Sequence, residues 1–269
     1  MIINHNLNAM NAHRNLQANN IAQGKSSEKL SSGYKINRAA DDAAGLSISE
    51  KMRTQIRALN QAQSNAQDGI SLVQTAEGAM SEVSDMLSRM KELAVKASNG
   101  TYNASDLEAI NAEFKSLSTA INNIANQTNF NGIKVLNQTT GVTIQIGDVG
   151  GNTVTVSLQN VQLSNLQING ASLSSMSSAS TALAKIDTDI GAVNKARSQF
   201  GAVQNQLEHT FNNLGATTEN LQAAESRVRD TDMAKEMMAY SKLNILQSAA
   251  TSMLAQANQA PQSVLQLLR

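Results

Sequence analysis

The 269-residue chain carries 21 basic and 21 acidic residues, one Pro, no Cys, no Trp and only 3% aromatic residues. This excludes disulfides and thiolate metal sites, and it leaves no charge surplus to draw the chain to nucleic acid or an anionic membrane. Its apolar content is mostly Ala, Leu, Ile, Val and 11 Met, with Asn and Gln at about a fifth of the chain, a makeup that suits long helices packed along one another.

The first segment, "MIINHNLNAMNAHRNL", has no apolar run of seven or more residues and no cleavage-type ending, so it does not read as a secretory leader. Ile3, Leu7 and Met10 open a helical seam that Leu16, Ile21 and Leu30 continue around the helix. The stretch "NRAADDAAG" then sets Asp41 beside Asp42. Catalytic carboxylates need a cleft and a partner of shifted pKa, and a metal site needs more oxygen ligands; Lys35, Arg38, Glu50 and Lys51 offer neither. The pair fits a joint between helices, where a carboxylate caps free amides or complements the helix dipole. Arg38 is placed at that joint for a salt bridge across subunits.

Residues 45 to about 98 read as one helix, roughly 80 Å long at 1.5 Å per residue. One seam on it runs Leu72, Ala76, Ala79, Val83, Met86, Met90, Leu93, Ala97 without a polar exception. A second runs from Met52 and Ile56 to Leu87 and skips Gln63, Glu77 and Ser84. Two offset seams mean a helix gripped from more than one side, the second seam facing either the interior or another copy. After "SNGTYN", Ser105 and Glu108 form the capping-box pattern that predicts the next helix, with Leu107, Ile110, Phe114, Leu117, Ile121 and Ile124 as its seam. Asn131-Gly132 marks a turn near its end.

From 133 to 161 the period changes to two, and "VTIQIG" and "TVTVSLQNV" flank "DVGGN", which predicts a hairpin near 142–161. The Ser- and Asn-rich stretch 162–180 has no clear period. Helical rhythm returns from Ala179 to Val228, with Arg197, Gln204, Thr218 and Glu225 as polar intrusions. The last seam, Ala239, Leu243, Leu246, Ala250, Met253, Ala257, Ala260, Val264, Leu267, has none, and Pro261 within it predicts a kink or an end to regular helix.

The fold class is mainly α: an elongated set of long helices in a coiled coil or bundle, with a small β-hairpin. The Met seams read as packing, since Met fills irregular gaps between helices. His5, His13 and His209 show no ligand spacing, and Gly141, Gly147, Gly150 and Gly151 lie in turns rather than a phosphate loop. "NGT", "NAS" and "NQT" match the N-glycosylation triplet, which arises readily in so Asn-rich a chain. No catalytic group, cofactor or metal is expected. Both ends carry wide apolar faces that a lone helix pair leaves wet. They are therefore expected to fold when neighbouring copies cover them, in an open assembly of unlike surfaces.

Five stretches of the first half, "INHNLNAMNAHRNL", "EKLSSGYKINRAADDAAGLSISEKMRTQIRALNQA", "NAQDGISLVQTAEGAMSE", "MKELAVKASNG" and "TNFNGIKVL", are distinctive in composition and order. With "GAVQNQLEHTFNNL", "NLQAAESRVRDTDMAKEM" and "MLAQANQAPQSVLQLLR" in the second half, they carry a resemblance to bacterial flagellin. It covers residues 1 to about 136 and about 180 to 269, and departs in the middle, where the large variable outer domain of many flagellins is missing. The family implies an inner coiled-coil domain of 1–42 plus 229–269, lining the filament channel, and a core domain over 43–228. It implies a subunit that polymerises into the flagellar filament, with a hook–filament junction or cap protein as the alternative. On this resemblance Ile3, Leu7, Met10, Leu243, Leu246, Met253, Val264 and Leu267 pack the inner domain and drive polymerisation, and Arg38, Asp41 and Asp42 form the interdomain joint.

The implied partners are further copies of the chain, junction and cap proteins, and a cytosolic export chaperone that holds the C-terminal segment. Export is by the flagellar type III apparatus without a cleaved signal, and the destination is extracellular. The family also implies recognition by the animal innate receptor Toll-like receptor 5 through Arg89, Leu93 and Glu113, with Ser88 where such flagellins commonly have Gln.

Overall fold

The structure is a computed structural model that describes residues 6–267, with side chains as far as Ala260. Ile3 lies outside the described residues, and so do the side chains of Val264 and Leu267. The chain separates into two compact units, one made of residues up to Ile56 and from Glu219 onward, the other of Arg57–Thr218.

The first unit pairs α1 (Leu7–Ser32) with α5 (Met233–Leu267), and adds the start of α2 (Ala43–Ala97) and the end of α4 (Met176–Arg229). Asn6 caps α1 by accepting from the Ala9 amide, and its own amide donates to the Ala257 carbonyl at 2.7 Å. Gln23 donates to Asn244 farther along, so α1 and α5 run antiparallel. Helix α1 ends at Gly33, whose φ of 76° is left-handed and which donates to Lys29 as a C-cap. The chain beyond is stitched to the end of α4. Lys35 donates to the Arg229 carbonyl at 2.7 Å, and Thr231 donates to the Gly33 carbonyl at 2.9 Å. Helix α5 starts on Asp232, which accepts from the Lys235 amide, and it continues through Pro261 to Leu267 rather than ending there. Pro261 deletes one amide donor, a local loss that a 35-residue helix absorbs close to its end.

The second unit is a bundle of α2 from Arg57, α3 (Ala104–Gln127) and α4 up to Thr218. Lys91 pairs with Asp187 and Glu77 with Arg197, so α4 runs antiparallel to α2. Glu77 and Arg197 are each a polar break in an apolar seam. They sit opposite one another, 3.0 Å apart. Met80, Leu87, Met90, Phe114, Phe200 and Leu207 fill the centre, all 1% exposed or less. From Leu59 to Leu87 the second seam of α2 lies in this interior, so it is not free to meet another copy.

The capping box of α3 is Asn103 with Asp106, not Ser105 with Glu108. Asn103 accepts from the Asp106 amide at 2.9 Å, and the Asp106 carboxylate accepts from the Asn103 amide. Both pairs satisfy the same spacing, and the chain starts its helix at the earlier one. The Asn131-Gly132 turn, with φ of 48° and 82°, closes a small hairpin of β1 (Asn129–Phe130) and β2 (Ile133–Lys134). The predicted hairpin is β3 (Val142–Gln145) paired antiparallel with β4 (Thr153–Val156), with Ile144 opposite Val154. It seats on α2 at Gly69, where a Cβ would lie 2.3 Å from Ile144 Cδ1. Asn65 holds it there by donating to the Gln145 carbonyl at 3.1 Å.

The segment 162–175 is fixed by side chains rather than by strands. Asp189 of α4, 3% exposed, accepts from the amides of Gln167 and Ile168 at 2.9 and 3.0 Å. Asn111 of α3 accepts from the Leu173 amide at 2.9 Å. Leu166, Ile168 and Leu173 are thereby held in the core.

Candidate assembly surface and joint

At the joint, Asp41 and Asp42 act as backbone acceptors. Asp42 Oδ1 takes the Gly45 amide at 2.9 Å and its carbonyl takes the Leu46 amide, which starts α2. A Cβ at position 45 would come within 2.7 Å of Ile36 Cδ1, so the glycine lets the first turn of α2 pack against Ile36 and Asp42 without their side chains shifting. Asp41 Oδ2 takes the amides of Arg38 and Asn37 at 3.1 and 3.2 Å. Those bonds, the Arg38 amide above all, hold its carboxyl below the usual range. Arg38 Nε pairs with Glu28 Oε1 at 2.9 Å within its own chain, and the rest of its side chain is exposed.

The joint has a second half that sequence reasoning missed. Arg229, 12% exposed, reaches Glu50 at 2.6 Å and stacks over the Tyr34 ring at 4.8 Å. The Arg229 hydrogen bond is the main reason that the Glu50 carboxyl titrates below its ordinary value. Glu50 and Arg229 thus join the start of α2 to the end of α4 inside the first unit, which takes in residues up to Ile56 and from Glu219 onward. Charged residues at a helix start and a helix end read as solvated decoration until both ends share one place.

The outer faces of α1 and α5 are the more unusual feature. Ser26 is the sole buried side chain of α1, and α5 has none among the described residues. On α5, Leu243, Ala250, Leu254 and Ala257 are half-buried in one stripe. At 100° per residue, Met237, Met238 and Ile245 fall on the opposite side. There, with Ser241, Lys242 and Leu246, they line an open groove of ≈ 490 Å³. Leu246 and Met253 also line a cleft of ≈ 710 Å³ shared with Asn8, Asn15 and Asn19 of α1. Leu7, Met10 and Met253 are all more than 60% exposed. A helix apolar on two sides has one side too many for its single partner.

In the second unit, Arg89 pairs with Glu113 at 2.9 Å and with Glu92 at 2.8 Å on an exposed face, which holds its guanidinium above the ordinary value. Leu93 does not join them at the surface. It is 3% exposed and belongs to the inward seam of α2. Among the described residues no helix is long and apolar enough to cross a membrane.

The chain is thus a helical protein with a closed core in its middle, over Arg57–Thr218, and large apolar side chains exposed on its terminal helices, the pattern of a structural subunit that associates. Residues 3–140 match the profile of the bacterial flagellin N-terminal helical region, and residues 183–268 that of the bacterial flagellin C-terminal helical region. The chain belongs to the bacterial flagellin family and is a structural subunit of the flagellar filament. It is 54% identical to a flagellin of Halalkalibacterium halodurans over 272 residues, and 48% identical to a flagellin of Bacillus subtilis over 304 residues, with all of each chain covered. The crystal structure of Bacillus cereus flagellin shares 36% identity, with a TM-score of 0.51 over 60% of this chain and 94% of that one.

Proposed function

We propose that this flagellin adds to its filament through the outer faces of α1 and α5, and that those helices complete their folding only when neighbouring copies cover them. The observation that carries this reading is the contrast in burial: large apolar side chains stand exposed along both helices, around Leu7, Met10, Leu246 and Met253. Covering them removes apolar surface from water at about 25 cal/mol per Å². A monomer that keeps them wet stays soluble, and a growing tip that supplies the missing surface orders them. In this reading the inner domain is the α1–α5 pair and the core domain is the bundle that carries Asp189 and Phe114, with Asp41, Asp42 and Arg38 between them.

The same reading places the chain outside the cell after type III export without a cleaved signal, with a chaperone on the C-terminal helix beforehand and with junction and cap proteins at the filament's ends. It assigns the chain no catalytic activity. For Toll-like receptor 5, the exposed Arg89–Glu113 pair is the offered surface, with Leu93 supporting it from beneath. Seeded elongation followed by electron microscopy tests the assembly surface. Leu246→Asp is expected to cut elongation by about tenfold or more, equivalent to about 1.4 kcal/mol, while the denaturation profile of the second unit stays that of the parent. Normal filaments from this variant would overturn the reading, and a pure parent protein that never propagates would favour a junction or cap role.

A further inference from the structure

We propose that the exposed methionines of the first unit are an oxidant-sensitive modification site that arrests assembly; the inference rests on the assembly surface described above. Five methionines stand open on α1 and α5: Met10 at 63% exposure, Met233 at 46%, Met237 at 50%, Met238 at 68% and Met253 at 64%. The second unit divides the other way. Of its four methionines, Met80 and Met90 are 0% exposed in its core, Met86 is half-buried against it, and Met176 at 56% is the open one. Two of the five, Met237 and Met238, line the groove on the far side of α5 with Ile245 and Leu246. Met253 lines the cleft between α1 and α5. The thioethers that solvent reaches are therefore largely those on the faces that must become dry.

The chemistry needs a peroxide as oxidant. A lone pair on methionine Sδ attacks one peroxide oxygen, the O–O bond breaks as the S–O bond forms, and water leaves. Sulfur loses two electrons and the peroxide gains them. The product is a sulfoxide, a polar acceptor where an apolar, adaptable side chain stood. Burying it against another apolar face without a donor is unfavourable, so a subunit oxidised here arrives at the tip with a surface that resists burial. Once covered by neighbours the same sulfurs are shielded, so the site is open before assembly and closed after it. Sulfoxide reductases reverse the reaction with two electrons from a dithiol, which becomes a disulfide as the oxygen leaves as water, and this makes it a switch.

The test uses the full chain as monomer, treated with graded hydrogen peroxide, mapped by peptide mass spectrometry and then offered to seeds. The five methionines and Met176 should oxidise while Met80 and Met90 remain intact, and elongation should fall about tenfold, an amount equal to about 1.4 kcal/mol. Treatment with methionine sulfoxide reductases should restore it. The quintuple variant M10L/M233L/M237L/M238L/M253L, whatever its own untreated rate, should lose none of that rate on peroxide treatment, and Met176→Leu should give no protection. Three results overturn the proposal: full sulfoxide at the five with normal elongation, equal inhibition of the five-Leu variant, or inhibition that the reductases leave in place. Leu246→Asp run alongside separates the two readings. Its normal elongation would sink the assembly surface itself, whereas its arrest beside normal elongation of the oxidised parent would sink only the oxidation site.

Discussion

The two units use the same residue types and bury them in opposite ways. In the second, α2, α3 and α4 enclose Phe114, Phe200, Met80 and Met90, and two polar breaks in its seams, Glu77 and Arg197, pair with each other. In the first, α1 and α5 hold Leu7, Met10, Met238 and Ile245 in water, and the tight contacts gather at the joint around Asp42, Glu50 and Arg229. One unit encloses its large apolar side chains, and the other leaves them exposed along two helices. The lesson is that an apolar face is no evidence of a core until the number of helices available to cover it has been counted.

The comparison breaks most sharply at Phe114. Phe114→Ala, in a side chain 1% exposed, should cost about 3–5 kcal/mol in denaturant unfolding, because it leaves a cavity that a packed core fills poorly. Met253→Ala, 64% exposed, should stay within about 0.5 kcal/mol in the monomer, as surface changes do. A large monomer effect at Met253 would show that the first unit has a core of its own.

Asp189→Asn should come next, with a loss of about 1–3 kcal/mol. One carboxylate oxygen becomes an amide that faces the N–H of Gln167 or Ile168, and two donors then meet with no acceptor between them. The proton count also distinguishes the units. Burial raises the carboxyl of Asp189, so there the folded state binds protons more readily than the unfolded chain, and stability falls as pH rises from the ordinary 3.8 through the raised value. Glu50 goes the other way. Its lowered pKa gives stability that is complete above the ordinary 4.5 and is lost as pH falls through the folded-state value. The smallest expected effect is therefore a stability difference between parent and Glu50→Gln that is present at pH 7 and shrinks below pH 4.5 in an acid titration. A difference that persists into acid would mean that Arg229 holds the joint without the charge on Glu50.

Much of this arrangement is legible along the chain because it repeats at helical period. The seam from Leu72 to Ala97 lies where its spacing puts it, and that spacing alone sends Leu93 inward, against its place as a surface contact. What is illegible is held by single long-range bonds. Asp189 lies between Ile186 and Ile190 as one more polar residue, and its partners are amides of a segment with no period. Arg229 and Tyr34 carry no pattern that links them across the chain. Local signals also have ties, as the competing starts at Asn103 and Ser105 show. The wide apolar faces of α1 and α5 are readable in sequence, but that Leu7, Met10, Ile245 and Met253 stay exposed on them is visible only once the helices are packed.

Amide hydrogen exchange on monomer and filament tests the central claim most directly, since it reads the opening of each helix separately. Residues 7–30 and 240–260 should exchange fast in the monomer and slowly in the filament, while 72–97 and 110–125 stay slow in both. Slow exchange over 7–30 in the isolated monomer would contradict the account.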